Sequence, residues 1–148
     1  QATKANTRDL VTASDVECQR IIQELIEASF PASSFLGEEQ VGAGTLASVE
    51  ALRSSLEQET EDGLLWIVDP IDGTTNFQAG LPIYCASIGV MDEDGLLAGV
   101  IYNPFLDEMT WATRGGGAFV NGNRLEARTD GTATTVLKDA LVNIGFPV

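Results

Sequence analysis

The sequence predicts an α+β domain, a layered and mainly antiparallel sheet with packed helices. Three observations carry this prediction. A segment near the N-terminus repeats apolar residues at helical spacing. A train of short strand-like runs follows, and Asp-Gly and Asn-Gly pairs punctuate it. The chain is also long enough for one core, with 148 residues, 44% of them hydrophobic and 20% charged.

The helix is expected over residues 14–30. Ser14 followed by Glu17 has the pattern of a capping box. Cys18, Ile21, Ile22, Leu25 and Ile26 then form one apolar face, and Phe30-Pro31 stops the helix. Ser34 to Leu36 is a short apolar approach to Gly37-Glu38-Glu39. Residues 40–63 are more polar and read as a mobile surface excursion, in which Leu46, Val49, Leu52 and Leu56 can form one weak helix. Leu64 to Val68 reads as a buried strand. Tyr84–Met91 and Gly95–Tyr102 read as a hairpin closed at Asp94-Gly95. Glu108–Ala112 and Gly117–Val120 are further strands. Asn121-Gly122 turns the chain into Arg124–Ala127. A loop over Thr129–Thr135 and a last strand over Ala140–Ile144 complete the series.

Composition excludes several functions. Eight basic and 22 acidic residues give a net charge of −14 and a pI near 4.1. Nucleic acid is a poor partner for such a chain, because no basic patch can displace phosphate counterions. No apolar run approaches the ~20 residues of a membrane span. The absence of histidine removes Ser-His-Asp and Cys-His catalysis and His-based zinc sites. Cys18 and Cys85 sit in apolar patterns and read as buried free thiols. That suits a reducing compartment, cytoplasm or organelle stroma. An acidic protein that handles phosphate needs positive charge from elsewhere, and metal ions are the obvious source.

The chemically informative stretch is Trp66-Ile67-Val68-Asp69-Pro70-Ile71-Asp72-Gly73-Thr74-Thr75-Asn76-Phe77. A buried strand ends at Asp69, Pro70 turns the chain, and Asp72 follows three residues later. Two carboxylates on one tight turn can face the same point, and the Ile71 carbonyl can add a third oxygen. Such a set suits a hard cation, Mg²⁺ before Zn²⁺ or Cu²⁺. Gly73-Thr74-Thr75 would open a helix whose unpaired N–H groups favour an anion. The same string also suits an ordinary turn with Asp72-Gly73 at its corner.

The stretch resembles the first signature of the inositol monophosphatase family, Mg²⁺-dependent and lithium-sensitive phosphatases. Its pattern is Trp-x-x-Asp-Pro-[Ile/Leu]-Asp-Gly-Thr-x-Asn-[Phe/Tyr], and every fixed position is present. Lys4 and Asp9-Leu10-Val11-Thr12-x-x-Asp15 resemble the family's opening segment. Phe35-Leu36-Gly37-Glu38-Glu39 resembles its Gly-Glu-Glu element, and Gly116 to Gly122 its later hairpin. The similarity runs from about Lys4 to Phe146.

The resemblance implies a sugar-phosphatase-type fold and a site. Glu38 and Asp69 would hold one Mg²⁺ together with the Ile71 carbonyl. Asp69 and Asp72 would share a second, and Glu38 would touch a weaker third. Gly73 and Thr74 would offer backbone N–H groups to the phosphate, so that Glu38, Ile71, Asp72, Gly73 and Thr74 face the substrate. Asp15 and the Thr74 hydroxyl would orient and deprotonate the attacking water, which makes Glu38, Asp15 and Thr74 the catalytic set. Glu39 would support the ligands from behind, or be a solvated carboxylate. Lys4 would lie near the site or in solvent. The implied reaction is direct hydrolysis of a small phosphorylated metabolite, inositol monophosphate first. Histidinol phosphate or a sugar phosphate is the alternative. A non-catalytic interaction subunit that retains the fold is a further one.

The chain departs from the family in extent. Family enzymes are about twice as long, and their second signature, Trp-Asp-x-Ala-Ala-Gly, is missing here. The helix expected ahead of Lys4 is missing too. Glu38 and Asp69 lie 31 positions apart, more than is usual in the family. Residues 1–148 are therefore expected to be an N-terminal catalytic lobe, inactive alone because the second metal site is incomplete. A longer natural protein is expected, and a homodimer is compatible with the family.

Overall fold

The computed structural model describes residues 2–3, 10–42, 44–58, 60–126 and 136, with side chains from Thr12 onward. Lys4, Asp9, Ala127, the expected loop over Thr129–Thr135 and the expected strand over Ala140–Ile144 lie outside the described residues. Among the described residues no helix is long and apolar enough to cross a membrane.

Two short strands, β1 (Ala2–Thr3) and β2 (Leu10–Val11), pair antiparallel. Helix α1 (Ala13–Ser29) follows directly. Its cap differs from the expected one. Thr12, not Ser14, is the N-cap, with extended backbone angles of φ −105° and ψ 164°. Its hydroxyl accepts the N–H groups of Ser14 and Asp15 at 3.1 and 3.3 Å. Asp15 completes the capping box by accepting the Thr12 N–H at 2.8 Å. Thr12-x-x-Asp15 outcompetes Ser14-x-x-Glu17 because the chain leaves β2 at Thr12, still extended. The buried stripe differs as well. Asp15, Gln19 and Ile26 are buried, whereas Ile21 and Leu25 are exposed.

A seven-stranded sheet has the order β3-β4-β5-β6-β7-β8-β9. Its strands are β3 (Ser34–Gly37), β4 (Leu65–Asp72), β5 (Cys85–Asp92), β6 (Gly95–Asn103), β7 (Glu108–Thr113), β8 (Gly117–Val120) and β9 (Asn123–Arg124). From β4 onward every neighbour is antiparallel. The turns are the coded ones. Asp92 accepts the Asp94 N–H at 2.9 Å in the β5–β6 hairpin. Asn121 and Gly122 both take positive φ, 47° and 79°, as a type I′ turn requires. Arg114 braces the first of these hairpins through Asp92 and the Gly95 carbonyl, each at 2.7 Å.

The exception is β3, which pairs parallel with β4. The approach expected over Ser34–Leu36 is thus a true strand. Helix α2 (Thr45–Leu56) lies within residues 40–63 and packs against β3. Helix α1 packs over β4, and the Phe30 ring meets Trp66 at 5.1 Å. Val68 of β4 is 1% exposed.

Candidate active site

The parallel register sets the first part of the site. Gly37, the last residue of β3, pairs with Val68, and the parallel pairing ends there. The residues that follow, Glu38 and Asp69, are brought together across 31 positions of sequence. Ligands commonly meet the carboxyl ends of parallel strands in this way. Glu38 opens a 3₁₀ turn over Glu38–Gln40. Glu38 and Asp69 both border a cavity of about 280 Å³ between α2 and the β3–β4 edge. A larger cavity of about 480 Å³, bordered by Ser34, Leu65 and Met91, lies at the other end of these strands and holds none of the motif residues.

The second part depends on an irregularity. Strand β4 does not end at Asp69 but runs on to Asp72. Asp69 pairs with Ser87 and Asp72 with Cys85, so three steps on β4 match two on β5. This is a β-bulge, and Pro70 falls inside it, where no ladder N–H is needed. In a regular strand, residues three apart point to opposite faces. The extra residue turns Asp72 onto the face of Asp69. The tight turn expected at Pro70 is therefore a bulge that does the same work.

Gly73 then takes φ 95° and caps helix α3 (Thr74–Gln78). A Cβ on Gly73 would come within 2.8 Å of the Ile83 carbonyl oxygen, so both conformation and space call for glycine. Gly73→Ala is expected to destabilise the protein by about 2–3 kcal/mol and to move Thr74, as read by denaturant melting and by phosphate release. Asn76 ties α3 down by donating to the Ile83 carbonyl at 2.8 Å, and Phe77 meets Tyr84 edge-on at 5.1 Å.

Asp15 joins this cluster from α1. It is 1% exposed and has its hydrogen-bond partners in place. One oxygen, Oδ2, accepts both the N–H and the hydroxyl of Thr12. The other, Oδ1, lies 3.2 Å from Thr74 Oγ1. The same Thr74 hydroxyl is 3.0 Å from the Ile71 carbonyl oxygen. Its single proton can go to only one of the two.

The electrostatics of the cluster centre on Asp69. Burial first, then the Asp72, Glu38 and Asp15 charges, raise its carboxyl from an ordinary 3.8 to about 6, against a lowering hydrogen bond from the Ile71 backbone. Each charge named there is negative. A set of carboxylates and a carbonyl fits a hard divalent ion. The arrangement is open, however. Among the described residues no three His, Cys, Asp or Glu side chains stand close enough to form a ready-made cage.

Both cysteines are free, as expected, but half-buried rather than buried. Cys85 Sγ lies 4.0 Å from Asp72 Oδ2. Burial and the Asp72 and Asp69 charges push its thiol up, and burial with Asp15 and Glu17 does so for Cys18. Thr12 is a site residue whose role sequence reasoning missed. Its signal was the Thr-x-x-Asp spacing.

The sequence profile of the inositol monophosphatase family matches residues 1–143. Inositol monophosphatase 2 of Solanum lycopersicum is 40% identical over 122 residues, covering 82% of this chain and 42% of that protein. Among solved structures, the extragenic suppressor protein suhB of Bartonella henselae is 32% identical with a TM-score of 0.68, covering 87% of this chain and 45% of that one. An IMPase/NADP phosphatase complexed with Mg²⁺ and phosphate is 31% identical with a TM-score of 0.67, covering 84% and 42%. Fold and sequence together define a phosphatase-family α+β domain, and the chain belongs to the inositol monophosphatase family. It spans about half or less of the length of curated relatives it matches, 38% of inositol monophosphatase 2 of Saccharomyces cerevisiae and 51% of the inositol-1-monophosphatase of Caulobacter vibrioides.

Proposed function

We propose that this chain is the N-terminal catalytic lobe of a Mg²⁺-dependent phosphatase that hydrolyses a small phosphate monoester, inositol monophosphate foremost. The observation that carries this reading is the junction of Asp15, Thr74 and Ile71 beside the acid cluster around Asp69. The relative complexed with Mg²⁺ and phosphate supports the choice of ion and of substrate group.

Glu38, Asp69, Asp72 and the Ile71 carbonyl are the groups that would hold two or three Mg²⁺ ions. Bound there, the ions would neutralise phosphoryl charge and lower the pKa of a water. The chain's own contribution is to orient and to move a proton. Thr74 Oγ1 can accept a hydrogen bond from the attacking water while it donates to Asp15 Oδ1. Asp15 is held for this task by Thr12. The N–H groups of Gly73 and Thr74 are offered to the phosphate. In-line attack then forms a new P–O bond as the ester P–O bond breaks, with no covalent phosphoenzyme.

The direct test is phosphate release by the natural full-length protein. Release from inositol monophosphate that requires Mg²⁺ and is suppressed by Li⁺ is expected. Faster release from histidinol phosphate or a sugar phosphate would redirect the substrate assignment. No release from any of them would overturn the enzyme reading.

A further inference from the structure

Helix α1 buries two polar side chains one turn apart, Asp15 and Gln19, at 1% and 7% exposure. Asp15 reaches the β4–α3 junction. Gln19 reaches the other acid-bearing segment. Its Oε1 accepts the Glu39 N–H at 3.0 Å. The 3₁₀ turn starting at Glu38 has no side-chain cap from Gly37, the residue at its own N-cap position. Gln19 therefore supplies from a different element an acceptor that the turn does not supply for itself.

The fit around Gly37 is close. A Cβ there would lie within 2.7 Å of Oε1, Cδ and Nε2 of Gln19. Gly37 has an ordinary extended φ of −96°, so backbone freedom does not call for glycine. Space does, because the Gln19 amide occupies the position that any side chain would take. Gln19 thus holds the backbone on both sides of Glu38, by contact at Gly37 and by hydrogen bond at Glu39.

We infer that Gln19 is a positioning residue that sets the Glu38 carboxylate relative to Asp69. Helix α1 then acts as one rigid bracket, with Asp15 gripping the segment after β4 and Gln19 the segment after β3. The inference rests on the reading of Glu38 as a Mg²⁺ ligand given above. Groups that orient metal ligands typically change metal affinity by about 10–100-fold when removed.

Mg²⁺ binding by calorimetry, on the full-length protein, provides the test. Gln19→Met keeps the bulk and removes the acceptor. It is expected to weaken Mg²⁺ binding by about tenfold and to raise the Mg²⁺ concentration for half-maximal phosphate release to match. At saturating Mg²⁺, kcat is expected to return to within about twofold of wild type, given roughly tenfold lost affinity. A purely structural role would instead lower kcat and leave half-saturation in place. Gln19→Glu restores an acceptor oxygen and is expected to bind Mg²⁺ at least as well as wild type. Should Gln19→Met fail to fold, Gly37→Ala, which pushes the amide off the Glu39 N–H, carries the same expectation. Unchanged Mg²⁺ affinity in a folded Gln19→Met or Gly37→Ala variant overturns the inference alone. A wild-type protein that binds no Mg²⁺ overturns the functional reading beneath it.

Discussion

Asp69→Asn is expected to abolish Mg²⁺-dependent phosphate release and, at neutral pH, to raise the melting temperature of the metal-free protein. Both effects have one cause. Burial first, and then the Asp72, Glu38 and Asp15 charges gathered around it, lift the Asp69 carboxyl from 3.8 to about 6. The folded state therefore holds a proton on Asp69 more tightly than the unfolded state does. Stability falls as pH rises from about 4 to about 6. Above that window the full cost of the ionised group is present. The shift corresponds to at most about 3 kcal/mol, and solvent screening at a half-exposed group reduces this to about 1–2 kcal/mol. Asparagine is neutral at every pH and removes the cost. It also removes the charge that would draw the cations in.

The same sign governs the metal. Protons and Mg²⁺ would compete for Asp69, so Mg²⁺ affinity is expected to weaken as pH falls through 6. Melting curves with and without Mg²⁺ at pH 5 and pH 7.5 check both statements. Mg²⁺ should stabilise wild type at pH 7.5, should do so less at pH 5, and should leave Asp69→Asn unmoved. A metal-free variant that melts below wild type at pH 7.5 would contradict this account.

The parts legible from sequence were those encoded by near neighbours. The β5–β9 meander follows from Asp94-Gly95 and Asn121-Gly122, whose turn chemistry needs no knowledge of the rest of the fold. Helix α1 follows from its own periodicity. Strand β3 did not, because four residues give little pattern and its parallel partner begins some thirty positions later. The β4 bulge was hidden for another reason. Pro70 reads locally as a stop, and only pairing with Ser87 and Cys85 shows the strand continuing. At the site, the segments bearing Glu38, Asp69, Asp72 and Thr74 stood out as motifs. Gln19 did not. A glutamine in a helix carries no signal until Gly37 is packed against it.

Asp15→Asn is expected to lower kcat by about 10²–10⁴-fold, the usual range for loss of a positioned acid–base group, while Mg²⁺ affinity stays near wild type. Asp15 accepts hydrogen bonds with both oxygens, from Thr12 on one side and toward Thr74 on the other. An asparagine has one acceptor oxygen. If that oxygen keeps the cap, its NH₂ group faces Thr74, which can then no longer donate to residue 15. Its proton turns to the Ile71 carbonyl, 3.0 Å away, and the water loses its route to a base. If the oxygen faces Thr74 instead, the NH₂ group opposes the Thr12 N–H. The helix cap weakens by about 1 kcal/mol, and an amide oxygen still cannot take up a proton at neutral pH. Either rotamer loses the reaction, but only the second loses stability. Thr74→Ser retains the hydroxyl and should keep most of kcat, whereas Thr74→Val should match Asp15→Asn. The double variant Asp15→Asn/Thr74→Val should be no slower than either single one, because residues acting as one unit are not additive. Fully additive losses would show that the two groups act separately.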